Sequence, residues 1–174
     1  PFNTLLSEQR PFITLKSALS LDGKMARHNG DSHWVSNDVS RRDVHRLRQM
    51  HDAILIGGYT LLNDNPSLTT RLSDNDKHPV PIILLGSQLL SDEMNIFKHP
   101  HQPLIFTSNE DNLRFHTKAE IFLGDYDLTE ILHILYEQKN IGSILVEGGS
   151  AVHTQFINEN LFDDLIIYIA PKIF

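Results

Sequence analysis

The 174-residue chain is expected to form one α/β domain, with a mainly parallel central sheet flanked by helices. Two observations carry this expectation. Short uninterrupted apolar runs, Ala53–Ile56, Val80–Leu85 and Ser143–Val146, are bounded by turn residues and read as strands buried on both faces. Between them lie segments with helical periodicity, and strands that alternate with helices build parallel sheets. A composition of 40% hydrophobic and 21% charged residues supports a single core. A domain of this size removes roughly 70% of its unfolded surface from water, so it needs no disulfide or metal to stay folded.

In order along the chain, Pro1–Arg10 is polar and reads as a linker from a preceding domain. Phe12–Leu15 is a β-rich run leading through Lys16 to the turn Ser20-Leu21-Asp22-Gly23. A second turn cluster, Asn29–Ser32, precedes Trp34. Ser36-Asn37-Asp38 then supplies cap and first-turn residues for a helix to about Met50, with Val39, Val44, Leu47 and Met50 facing inward and Arg41, Arg42 and Arg46 in solvent. After the Ala53–Ile56 strand, Gly57–Arg71 reads as a polar loop broken by Asp64-Asn65-Pro66. Ser73–Pro79 is an exposed loop, and Ser91–Gln102 lies on the surface without a clear period. Leu104–Thr107 and Glu120–Leu123 are further strands. Thr129–Lys139 is a helix presenting Ile131, Leu132, Ile134 and Leu135, capped by Asp127 or Thr129. The Ser143–Val146 strand ends in Glu147-Gly148-Gly149-Ser150. A helix with Ala151, Val152, Phe156 and Ile157 on its apolar face follows, and Leu165–Ala170 is the last strand.

Charge and composition exclude several classes. A formal net charge of −7 disfavours nucleic acid, so an anionic ligand requires a local cationic cluster. No stretch approaches the roughly 20 apolar residues of a membrane helix. Cysteine is absent, which is compatible with a reducing compartment, and the cytoplasm is the expected location. The ten histidines match no common metal-ligand spacing, so no metal site is expected, and a zinc deaminase site, which needs cysteine ligands, is ruled out for this chain. A nucleophilic serine elbow is missing as well.

Three places carry candidate chemistry. At Val146–Ala151 a strand runs into a helix through two glycines, so free backbone N–H groups and the helix dipole are available to an anion such as a dinucleotide phosphate; a simple turn-forming role is the alternative. Glu147 stands at a buried strand end, where a carboxylate must be paired or face a cleft. Lys16 ends a β-run, in a position suited either to orienting a substrate hydroxyl or to an exposed strand face. The Gly57–Arg71 segment combines hydroxyl, carboxylate and cation, and Arg48 and Arg71 are the candidate phosphate ligands, since guanidinium binds phosphate oxygens as a fork. Trp34 is either core or a stacking surface for a flat ring.

Taken together, Pro11–Lys16 with Ser20–Lys24, Gly30–Ser36, His45–Arg48, Ala53–Gly57, Thr60 with Asp64–Thr69 and Arg71, Val146–Gly149 and Tyr168–Lys172 resemble, in order and spacing, the reductase domain of bifunctional riboflavin-biosynthesis deaminase/reductases. The resemblance runs from Arg10 to Phe174. It implies a dihydrofolate-reductase-like fold and NADPH-dependent reduction of 5-amino-6-(5-phosphoribosylamino)uracil to the ribitylamino compound, without metal. It further implies that Ser32, Arg48, Leu68, Arg71 and Glu147 contact substrate. Ala18, Trp34, Thr60, Asp64, Ser87 and Gly149, Ser150, Ala151, Val152, His153, Thr154 and Gln155 would line the NADPH site, and Lys16, Asp64 and Glu147 are the catalytic candidates. A homodimer or larger homo-oligomer and a covalently linked deaminase domain are the implied partners. The chain departs from the family in having Gly86 where aspartate is usual before Ser87, and the family continues past Ala170-Pro171-Lys172 with further strands that are expected to be missing here. The rival readings are a reductase of the non-deaminated diaminopyrimidinone, a nucleotide- or phosphosugar-binding module without catalysis, and a part that only scaffolds dimerisation.

Overall fold

The computed structural model describes residues 8–25, 38–73 and 77–173. Seven strands form one sheet: β1 (Phe12–Ser20), β2 (Ala53–Gly57), β3 (Val80–Gly86), β4 (Leu104–Thr107), β5 (Glu120–Leu123), β6 (Ser143–Gly148) and β7 (Asp164–Ala170). Their order is β5-β4-β3-β2-β6-β1-β7, and every pairing is parallel. The helices are α1 (Asp38–Met50), α2 (Gly58–Asp64), α3 (Leu128–Glu137) and α4 (Ser150–Asn158). Because β6 inserts between β2 and β1, the chain reverses its winding there, and the carboxyl ends of β1, β2 and β6 border the crevice where ligands of such sheets bind.

The strands alternate their side chains between two cores, which is why each apolar run is buried on both faces. Ile13, Leu15, Ala53, Leu55, Ile144 and Val146 meet α3 and α4 through Leu128, Ile131, Leu132, Leu135, Val152 and Phe156. On the opposite face Ile54, Ile56, Ile83, Leu85 and Ile105 meet Leu61 of α2 together with Met94, Ile96 and Phe115. The cap of α3 is Asp127, which accepts from the Glu130 N–H while the Glu130 carboxylate accepts from the Asp127 N–H.

Several expectations are corrected. In α1, Val39 and Met50 are exposed, at 78% and 75%. The helix instead buries the stripe through Val44, Leu47, Arg48 and, just beyond its end, His51, because polar groups hold it to the sheet: Tyr168 donates to Asp43, Arg48 reaches Glu147, and His51 Nε2 meets Thr14 Oγ1. Gly58–Asp64 is helical where a loop is expected; seven residues with one fully buried side chain, Leu61, give too short a period to read. Ser91–Gln102 is not wholly superficial, since a 3-10 turn at Asn95–Lys98 drives Ile96 into the core. In α4, Ala151 and Ile157 are exposed and His153 takes the inward place beside Val152 and Phe156.

Candidate active site

The site grows from the ends of β1 and β6. Glu147 lies where β6 falls out of step with β2: Leu55 pairs with Val146, but Ile56 pairs with Gly148, so Glu147 is the extra residue of a β-bulge. Bulges re-aim side chains. Here the carboxylate reaches Arg48 of α1 in a two-pronged pair, Nε to Oε1 at 2.7 Å and the terminal nitrogen to Oε2 at 2.9 Å. The other terminal nitrogen of Arg48 donates to the Thr69 carbonyl at 2.9 Å, which ties α1 to the loop after α2. Both side chains are nearly enclosed, at 12% and 9% exposure. Burial alone would raise the Glu147 pKa. The charge and hydrogen bonds of Arg48, helped by Lys16 and His45, outweigh it and hold the carboxyl below its usual value.

Lys16 projects from β1 into the same cluster, with Nζ 5.6 Å from the centre of the Tyr168 ring. Burial pushes its pKa down, Glu147 partly offsets this, and Arg48 adds to it. Tyr168, which pairs with Ala18 from β7, is pushed up by burial and then by its hydrogen bond to Asp43. The cluster is therefore two cations sharing one carboxylate at a strand end, with a lysine whose charged form is disfavoured. It can attract an anionic substrate and release a proton from Nζ.

Next to it, Gly149 is the N-cap of α4; its φ of +83° is one that glycine adopts without strain, and having no side chain it leaves the helix start uncapped. Thr60 of α2 closes over the glycine pair; a Cβ at Gly148 would lie 3.0 Å from its Cγ2. The first-turn N–H groups of α4 are thus offered to a ligand anion. From there a cavity of about 270 Å³ extends toward the ends of β3 and β4, lined by Gly86, Phe106, Ser108, Tyr126, Ala151 and Gln155 among others.

The fold brings Lys16, Arg48 and Glu147 into one cluster and sets Thr60 and Gly149 beside it. Ala18 follows Lys16 on the same face of β1, half-buried. Asp64 is exposed at the end of α2, Arg71 is exposed beyond the Thr69–Thr70 loop, and Ser87 is exposed after β3, its carbonyl accepting from Asn109. Leu68 is 2% exposed with φ +55°, and its side chain stays in the core rather than facing a ligand. Arg48 has its guanidinium engaged within the protein, whereas Arg71 makes no ion pair among the described residues. Of the α4 residues, Ser150, Ala151, Thr154 and Gln155 are exposed and Val152 and His153 are buried. Ser32 and Trp34 lie outside the described residues. Sequence reasoning missed Asp43 and Tyr168 as neighbours of the cluster. The alternation along β7, which puts Tyr168 on the face opposite Ile167 and Ile169, was the available signal. No group of three His, Cys, Asp or Glu residues able to hold a metal occurs among the described residues, nor is any helix there long and apolar enough to cross a membrane.

Known proteins are similar in sequence and fold. The family model for the RibD C-terminal domain matches residues 11–174. The riboflavin biosynthesis protein RibD of Bacillus amyloliquefaciens is 38% identical over 170 residues, covering 92% of this chain and 46% of that protein. A diaminohydroxyphosphoribosylaminopyrimidine deaminase/5-amino-6-(5-phosphoribosylamino)uracil reductase of Thermotoga maritima superimposes with a TM-score of 0.90 at 37% identity, over 99% of this chain and 48% of that one. The riboflavin biosynthesis reductase Rib7 of Saccharomyces cerevisiae does so with a TM-score of 0.74 at 26% identity, over 94% and 75%. The chain spans about half the length of the RibD proteins it matches. The sheet with its flanking helices is the dihydrofolate-reductase-like fold of these reductases, and with the family model running from the first strand to the last residue, the chain belongs to the RibD C-terminal domain family.

Proposed function

We propose that the chain carries the reductase activity of riboflavin biosynthesis, reducing 5-amino-6-(5-phosphoribosylamino)uracil to its ribitylamino form with NADPH. The observation that carries this reading is the Lys16–Glu147–Arg48 cluster beside the uncapped start of α4, in a chain of this family. The residues fit a dinucleotide: Gly149 leaves the helix N-terminus open to a pyrophosphate, and the neighbouring cavity prolongs that site toward β3 and β4. Thr60, Asp64, Ser87, Ala18 and the exposed residues of α4 would hold it, and the resemblance adds Trp34 to that set.

NADPH, when bound, supplies the hydride that reduces the sugar carbon bonded to nitrogen. The chain's own groups do the rest. Arg71 takes the phosphate, with Ser32. The Arg48–Glu147 pair fixes a carboxylate at the strand end to orient the pyrimidine, and Arg48 acts mainly by holding that carboxylate and the Thr69 loop. Lys16 Nζ faces the sugar, orients its hydroxyls and gives up a proton as the ring opens, a role favoured by the burial that disfavours its charge. The exposed row of Leu165, Ile167 and Ile169 on β7 suits a homodimer, and the name of the Thermotoga relative points to a linked deaminase domain. We place the protein in the cytoplasm, where NADPH is available.

Mixing the protein with NADPH and the ribosylaminouracil phosphate and following the absorbance of the reduced nicotinamide tests the reading. Oxidation dependent on both ligands is expected. Binding without oxidation would make the chain a nucleotide-binding module, and oxidation only with the diaminopyrimidinone would move the substrate back one step.

A further inference from the structure

His153 belongs to the stretch that the resemblance assigns to the cofactor, yet its ring is 6% exposed and turned toward the sheet. The last Cα pair between β1 and β6 is Leu15 with Val146; beyond it β1 continues to Ser20 against β7 alone. The two strands part at this fork, and the next residue on each, Lys16 and Glu147, belongs to the cluster. His153 fills the fork from the α4 side. Its Nε2 lies 3.2 Å from the Val146 carbonyl and its Nδ1 lies 3.0 Å from Ser17 Oγ. A carbonyl can only accept, so Nε2 carries the proton and Nδ1 accepts from the Ser17 hydroxyl. One neutral imidazole thus bridges the two diverging strands immediately next to the residues that carry the chemistry.

We propose that His153 is a positioning residue for the reduction, its bridge from Ser17 to the Val146 carbonyl setting the gap between Lys16 and Glu147. The inference rests on the reductase reading and departs from the view that His153 lines the cofactor. The surroundings favour the neutral ring: burial lowers its pKa, the hydrogen bond to Val146 partly offsets this, and the Lys16 charge adds to the lowering. Protonation would reverse the Ser17 bond and add a cation near Lys16. The geometry matters because an error of about 1 Å in a reacting group costs on the order of 100-fold in rate.

The test has two arms. In the first, kcat and both KM values are measured for Ser17→Ala, His153→Ala, His153→Gln and the Ser17→Ala/His153→Ala double variant. The expected result is a fall in kcat of about tenfold or more for each alanine variant, with both KM values within about threefold of wild type. The double variant should be no slower than His153→Ala. Glutamine, whose amide can donate to Val146 and accept from Ser17, should recover most of the rate. In the second arm, 15N NMR of the imidazole in the ligand-free wild type should show the neutral Nε2–H tautomer at about pH 8, above the ordinary imidazole value, and the Nδ1 resonance should shift in Ser17→Ala. Unchanged kcat in both single variants, a rise confined to the NADPH KM, or an Nδ1–H tautomer would overturn the proposal. Should His153→Ala fail to fold, Ser17→Ala and the tautomer still decide it. If wild type oxidises no NADPH, the reductase reading is what fails, while the NMR arm still reads the bridge.

Discussion

Replacing Glu147 with glutamine isolates the energetics of the site. The carboxylate and the Arg48 guanidinium share two hydrogen bonds at 2.7 and 2.9 Å and are almost fully enclosed. Glutamine keeps the shape but leaves Arg48 buried without its counter-charge and facing Lys16. Losing one partner of a buried pair costs about 3–5 kcal/mol. At about 2–4 °C per kcal/mol for a chain of this length, the melting temperature should fall by about 6–20 °C. Urea unfolding at pH 7 measures the free energy directly. The pH dependence has a definite sign. The folded pKa of Glu147 is depressed, so its contribution is present above the unfolded value of about 4.3 and is lost as pH falls through the folded value. The gap between wild type and Glu147→Gln should therefore be widest near neutrality and begin to narrow only as pH falls below the unfolded value of about 4.3. An Arg48→Met/Glu147→Leu double variant should recover most of the stability, because an apolar pair of similar volume removes both buried charges. A gap under about 1 kcal/mol at pH 7, or one that persists undiminished into acid, would refute the argument that this pair is an electrostatic unit.

Three further outcomes follow from the same geometry. Arg71→Ala should raise the KM of the phosphorylated substrate about tenfold or more while leaving that of NADPH nearly unchanged, since a charge-assisted phosphate contact is lost; steady-state titration of each ligand checks this. Gly149→Ala should cost about 1–2 kcal/mol of stability, because φ is +83° and the new Cβ meets Thr60 Oγ1 at 3.3 Å, and it should weaken nucleotide binding in calorimetric titration. Burial lowers the His99 pKa to about 4, so between the unfolded value of about 6.5 and that folded value the unfolded chain binds the extra proton and stability falls as pH falls. His99→Gln should flatten the acid limb of the melting curve over that window.

Much of the fold was legible because buried parallel strands advertise themselves as continuous apolar runs, and β2, β3 and the body of β6 stand close to where those runs lie. The start of α3 was legible only to within two residues, Asp127 or Thr129, and the structure assigns the cap to Asp127. What periodicity could not reveal was the polar half of the inward face of α1: Val44 and Leu47 face the sheet as expected, but Asp43, Arg48 and, just past the helix, His51 take the places expected of Val39 and Met50. In the site, the sequence showed that Glu147 needed a partner but not which one, since Arg48 lies 99 residues away. The bulge that aims it depends on two neighbouring strands being out of register, a property of pairing that no single segment encodes. The contact of Tyr168 with the cluster and the bridge made by His153, which the resemblance places at the cofactor, are hidden for the same reason: each arises only when β1 lies against β7 and α4.

The insertion of β6 between β2 and β1 has a consequence for how the molecule is made. During synthesis β2 to β5 can zip together in sequence as neighbours, but β1, finished by residue 20, has no partner until residues 143–170 have left the ribosome. Its apolar residues and the inner edge of β2 must wait exposed through most of translation, and one late strand closes both gaps at once. The same event creates the Lys16–Glu147 cluster, so the candidate site and the last gap in the sheet close together.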